Sequence, residues 1–131
     1  MSFHFRLSSI QKLRENTRDE QRITLAGAMK SVDEITVQFQ ALEIQAKKMT
    51  QEKDQLLRTG SMIPFSALQA YDRREKWLHD ERLRLQELLN DAEQNARHCH
   101  SALMEADKNL KSLEKLEEKQ REQHDRRKVS R

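Results

Sequence analysis

From Leu68 onward the apolar residues recur in alternating steps of three and four. The series is Leu68, Tyr71, Glu75, Leu78, Arg82, Leu85, Leu89, Ala92, Ala96, Cys99, Leu103, Ala106, Leu110 and Leu113; twelve of its fourteen members are apolar or aromatic. Steps of three and four average one heptad per two turns, so the series predicts one narrow seam along a long helix. Nearer the start the same steps give Leu25, Ala28, Val32, Ile35, Phe39, Leu42, Ala46, Met49, Lys53 and Leu56. Upstream of these, Ile10, Leu13 and Thr17 follow a frame displaced by one residue, which predicts a local change in supercoiling close to Gly27.

One strong break divides the two series, at Arg58-Thr59-Gly60-Ser61-Met62-Ile63-Pro64. Gly60 suits the residue after a helix end, where a left-handed backbone is needed. Pro64 suits a helix start, where its missing N–H costs no hydrogen bond. The expected architecture is therefore all-α: a long two-helix antiparallel coiled-coil hairpin in a single domain spanning 1–131. Helix one is expected over about 3–58, the turn over 59–63 and helix two over about 64–128.

A short turn makes the two helices antiparallel neighbours. Pairing Leu56 with Leu68 gives a register in which partner numbers add to about 124, to within one helical turn. Phe39 then faces Leu85, Ile35 faces Leu89, and Leu25 faces Cys99. Ala26-Gly27-Ala28 falls opposite Ala92 and Ala96, which predicts a narrow waist; a bend at Gly27 is the rival expectation. About ten residues at the end of helix two are left without a partner.

Composition agrees with helices that bury only a stripe. Of 131 residues, 35% are hydrophobic and 36% charged, with two glycines and one proline. A disordered chain would share the charge but lack the periodicity. The 25 Lys and Arg are interleaved with 22 Asp and Glu, leaving a net charge of +3. This is a solvated helix surface rather than the one-sided field of a nucleic-acid binder. The single Cys99 excludes an intrachain disulfide and fits a reducing compartment. No apolar run reaches the roughly 18 residues of a membrane span, and Met-Ser-Phe-His-Phe-Arg-Leu has no signal-peptide core, so the expected location is cytoplasmic.

Candidate chemistry is sparse. His98-Cys99-His100 is the one cluster with metal-ligating side chains, but adjacent helical residues diverge by about 100° and cannot converge on one ion. Cys99 lies on the seam and reads as a small buried hydrophobe. Two isolated glycines make no phosphate loop, and a two-helix protein offers no concave pocket. No catalytic residue, cofactor or metal is expected, and the chain is not expected to be an enzyme.

What stands out instead are contact surfaces. Glu75 and Arg82 place charges on the seam, where they either reach out to water, fix the register, or mark an opening toward a third partner. Tyr71, Trp77 and the Met62-Ile63-Pro64-Phe65 segment offer more apolar surface than two helices cover, unless Ile63 and Phe65 cap the seam. Arg14, Arg18 and Arg22 form a stripe at four-residue spacing, and Arg121, Arg126 and Arg127 crowd the far end of helix two. Acidic residues interrupt this basic region and no base-reading pattern accompanies it, so an acidic protein surface is the expected target and nucleic acid is not.

The opening Phe3-His4-Phe5-Arg6-Leu7, with Ile10, Leu13-Arg14-Glu15 and Asp19-Glu20 behind it, resembles the start of the FliJ family of the flagellar type III export apparatus. Leu68-Gln69 and Tyr71 after the turn, and Leu113-Glu114-Lys115-Leu116 near the end, extend the resemblance over essentially the whole chain. It implies a non-enzymatic coiled-coil stalk, similar to the shaft of rotary ATPases, that docks in a hexameric export ATPase (FliI-like). It also implies contact with an export gate protein (FlhA-like), escort of export chaperones, and association with the membrane through partners only. Gate contact in the family involves residues early in helix two, where Tyr71 matches an aromatic position and Leu78 an apolar one. Glu75 stands where the family has an apolar residue, and Arg82 where it has a histidine. Many members continue beyond the equivalent of Val129-Ser130-Arg131 with an acidic helical stretch. On these grounds Arg14, Arg18, Arg22, Arg121, Arg126 and Arg127 are candidate ATPase contacts. Tyr71, Glu75, Leu78 and Arg82 are candidate gate contacts. The equivalent stalk of a virulence secretion system and a generic coiled-coil scaffold are the competing readings.

Overall fold

The computed structural model describes residues 8–60 and 62–129. They form two α-helices, α1 (Ser8–Arg58) and α2 (Phe65–Val129), and the fold is all-α, a helical hairpin. The part of helix one expected over 3–7 lies outside the described residues.

The ends facing the turn follow local backbone chemistry. The N–H of Thr59 donates to the carbonyl of Gln55 at 3.1 Å, and its hydroxyl donates to Leu56 O at 2.9 Å. These bonds satisfy two of the carbonyls that a helix end leaves open. Gly60 follows with φ +68°, a left-handed conformation that a Cβ would disfavour. The carbonyl of Pro64 accepts the N–H of Ala67 at 3.0 Å and of Leu68 at 3.3 Å. Pro64 therefore caps α2 from outside, one residue ahead of the first helical residue, Phe65.

The chain divides into two compact units. One is Met29–Gln94, which contains the turn. Its core is Leu42, Met49, Leu78 and Leu85, with Phe39, Ala46 and Tyr71 packed against it. All seven are members of the two periodic series, so the seam is built by the residues whose spacing put them on one face. Cross-helix ion pairs set the register here: Lys53 with Glu75, whose numbers add to 128, and Glu43 with Arg82, which add to 125. The second agrees with the expected 124, and the first lies about one turn from it. Leu56 does not close the seam against Leu68 as expected; it is 39% exposed and lines a surface cleft together with Tyr71.

The other unit is Met1–Ala28 with Asn95–Arg131. In its described part Ala28, Cys99, Ala106 and Leu110 are buried, and Leu25, Ala96, Leu103 and Leu113 are half-buried. On α2 the half-buried period continues through Glu117, Gln120 and His124. The expected loss of covering over the last ten or so residues is thus not seen before His124.

Two expectations about α1 are corrected. The displaced frame holds only at Thr17, which is half-buried: Gln11, Arg18 and Gln21 are half-buried in phase with Leu25 and Ala28, while Ile10 and Leu13 are exposed at 43% and 64%. The phase of the longer seam downstream carries through α1, and the two exposed apolar side chains of the displaced pattern do not turn the helix. Nor does Gly27 allow a close approach. It faces outward, and a Cβ placed on it would meet nothing within 4 Å. Ala28, one residue on, is the seam residue.

Candidate functional site

The two candidate surfaces fall in different units. In the unit holding the chain ends, Arg14 and Arg22 are exposed and Arg18 is half-buried along the seam. Asp19 organises two of them, lying 3.1 Å from Arg18 and 3.8 Å from Arg22. Arg14, Thr17 and Gln21 line an open cleft with Ala102, Glu105, Ala106 and Asn109 of α2. Arg121 pairs with Glu117 at 3.3 Å, one turn earlier on α2. Arg126, Arg127 and Lys128 form the last turn of α2, where cations offset the negative end of the helix dipole. Arg18, Arg22 and Arg121 are held on helical faces by neighbouring carboxylates, and all six arginines but Arg18 are exposed, the form suited to bidentate contact with carboxylates of another protein.

In the turn-containing unit the four residues near the start of α2 divide by burial. Leu78 is 5% exposed and belongs to the core, so its side chain supports the surface from beneath. Tyr71 is half-buried against the same core. Glu75 accepts a hydrogen bond from Lys53 Nζ at 3.1 Å, and Asp72 lies 3.9 Å from the same ammonium. That hydrogen bond first, and the charge of Glu75 second, raise the pKa of Lys53 above its ordinary value. Arg82 Nε lies 2.7 Å from Glu43 Oε1. Glu75 and Arg82 thus form ion pairs across the seam while their side chains stay 41% and 55% exposed to water. Further along α2, half-buried Glu81 and exposed Arg84 form an ion pair that lowers the Glu81 pKa and raises that of Arg84.

Sequence reasoning missed both partners. Lys53 lies in the periodic series itself, but a register one turn away sets it opposite Tyr71 instead of Glu75. Glu43 sits beside the seam residue Leu42, and an acid there with a basic seam residue on the other helix was the available signal.

Around the turn, Met62 is fully exposed, Phe65 is 74% exposed and Trp77 is 57% exposed, whereas Ile63 is half-buried. Phe65 therefore does not cap the seam. His98 and His100 are exposed on either side of buried Cys99, whose thiol donates to Asn95 Oδ1 at 3.9 Å. No group of three metal-ligating side chains converges among the described residues, and none of their helices is long and apolar enough to cross a membrane.

No curated protein and no solved structure matches the chain. The family model described as "Flagellar FliJ protein" matches residues 3–131. With two long helices joined by one turn and a seam spanning both, the chain belongs to the FliJ family and is a protein of the flagellar export apparatus.

Proposed function

We propose that the chain is a non-enzymatic coiled-coil stalk of the flagellar type III export apparatus, acting on the cytoplasmic side. In this reading it binds a hexameric, FliI-like export ATPase and a FlhA-like export gate protein, and escorts export chaperones. It reaches the membrane through these partners only. The observation that supports this most is the family match over residues 3–131.

Charge distribution supports the division of labour. The candidate ATPase contacts Arg14, Arg18, Arg22, Arg121, Arg126 and Arg127 all belong to the unit that holds the chain ends. Exposed guanidinium groups on helices would steer that unit toward an acidic ring interior. The candidate gate contacts belong to the turn-containing unit. There Tyr71, Glu75 and Arg82 would meet the gate directly, and Leu78 would hold Tyr71 in place.

The test is co-purification of the full-length chain with the export ATPase and with the cytoplasmic domain of the gate protein. Retention of both is expected. Retention of neither, with the helical content intact, overturns the reading.

A further inference from the structure

The seam assigns a heptad position to every residue of α1, and the positions farthest from α2 are the ones that should be most polar. In the turn-containing unit, two of these outermost positions hold Val37 and Ile44, which are 63% and 67% exposed. Ala41 lies between them on the same face and is also exposed. Val37, Ala41 and Ile44 follow each other by four and three residues, which is itself a short second seam. It is flanked on one side by Asp33 and Glu34 and on the other by Lys47 and Lys48, all exposed. None of these four forms an ion pair with another described residue.

We infer that this face of α1 binds a second copy of the same chain, antiparallel, about a two-fold axis near Gln40 and Ala41. The face is self-complementary. An isologous contact between antiparallel helices sets each heptad position against its own kind on the partner. Placing Val37 against Ile44 of the second copy makes partner numbers add to 81. Asp33 then falls beside Lys47 of the second copy, and Glu34 beside Lys48. Because the arrangement is two-fold, each contact occurs twice, giving four opposite-charge pairs around two Val–Ile contacts.

At the centre, Ala41 meets its own equivalent, and two small side chains let the helices approach closely. Gln40 meets its equivalent on the other flank, where two amides can exchange hydrogen bonds. One step further out, Lys30 falls against Gln51, so no like charges face each other between Lys30 and Gln51. A register displaced by one heptad either way removes the match of Asp33 and Glu34 with Lys47 and Lys48. The interface is small and its charges stay exposed, so the dimer is weak, with a Kd on the order of 100 µM.

Sedimentation equilibrium of the full-length chain tests this, over about 10 µM to about 1 mM. Reversible monomer–dimer behaviour is expected. The double variant Asp33→Lys/Glu34→Lys makes the face uniformly basic, and Lys47→Glu/Lys48→Glu makes it uniformly acidic. Each alone should raise the Kd about tenfold or more, with an unchanged far-ultraviolet circular dichroism spectrum. An equimolar mixture of the two should form a heterodimer, because all four flanking pairs are then opposite in sign. In a Cys99→Ser background, Ala41→Cys should give a disulfide-linked dimer on mild oxidation. A monomer throughout the concentration range overturns the proposal. So does a dimer that both double variants leave unchanged, since its interface must then lie elsewhere.

Discussion

Lys53 on α1 donates a hydrogen bond to Glu75 on α2 at 3.1 Å, with Asp72 at 3.9 Å from the same ammonium. The pair crosses the seam next to the turn and stands where the hydrophobic pattern alone leaves a choice. Sliding one helix past the other by one turn keeps the apolar stripes in contact, but only one setting brings this lysine to these carboxylates. The pKa of Lys53 is raised above 10.5, so the pair contributes stability below that value and loses it as pH rises through the raised pKa. The thermal midpoint of the native chain should therefore fall more steeply above about pH 10.5 than that of Lys53→Met, in paired melts followed by circular dichroism. Parallel curves for the two proteins would show that the contact does not contribute. Lys53→Glu, which sets a third carboxylate beside two, should lower the midpoint by several degrees at neutral pH.

Leu83 and Leu85 are two residues apart on α2 and differ in exposure, 53% against 3%. Leu85 packs with Leu42, Met49 and Leu78, so truncation removes contacts on several sides and leaves a gap that long helices close only in part. Leu85→Ala should cost about 2–4 kcal/mol in urea denaturation. Leu83→Ala should stay within about 0.5 kcal/mol. Equal losses at the two sites would mean that α2 presents a different face to α1.

The amino-terminal part of α1 is where the sequence misleads. From Leu25 through Leu113 apolar side chains fill nearly every seam position and most of them are buried or half-buried, Leu56 being the exception at 39% exposed. Upstream, apolar character and burial come apart. Gln11, Arg18 and Gln21 occupy the seam, and Ile10 and Leu13 point outward. Two apolar residues, Ile10 and Leu13, do not outweigh the phase set by the longer seam that follows, and α1 runs unbroken from Ser8 to Arg58 in that phase. Gln21→Leu should then stabilise the fold by about 1 kcal/mol through added apolar burial. Leu13→Gln should change stability by less than about 0.5 kcal/mol. The displaced frame predicts the reverse order, so one pair of denaturation curves separates them.

Both glycines were visible as departures from helix-forming composition, but their roles differ by backbone conformation. Gly60 has φ +68° at the end of α1, a conformation that side chains resist. Gly27 lies within the helix on an exposed face, with open space where a Cβ would go. Gly27→Ala should therefore raise stability by about 1 kcal/mol, and Gly60→Ala should lower it by about the same amount. Opposite shifts in the thermal midpoint are the expected outcome. A loss at Gly27 would indicate that the helix uses its flexibility there.

The candidate contact residues were legible as types and spacings, not as environments. Spacing alone put Leu78 beside Tyr71 on one face without showing that it is core, and it put Arg18 in the arginine stripe without showing that Asp19 holds it. These environments decide which substitutions report on binding. Reversal to Glu at Arg14, Arg18, Arg126 and Arg127 changes groups at or near the surface and spares Leu25, Ala28 and the apolar seam. The quadruple variant should keep its helical content. Its affinity for the export ATPase should fall about tenfold or more at low salt, and raising the ionic strength should narrow the gap. Binding to the gate domain should be unchanged, whereas Tyr71→Ala with Arg82→Glu should weaken gate binding and spare the ATPase. Calorimetric titration of both variants against both partners gives four affinities. Unchanged ATPase affinity at low and moderate salt, or equal losses toward both partners, would sink the assignment of the arginine-rich unit to the ATPase.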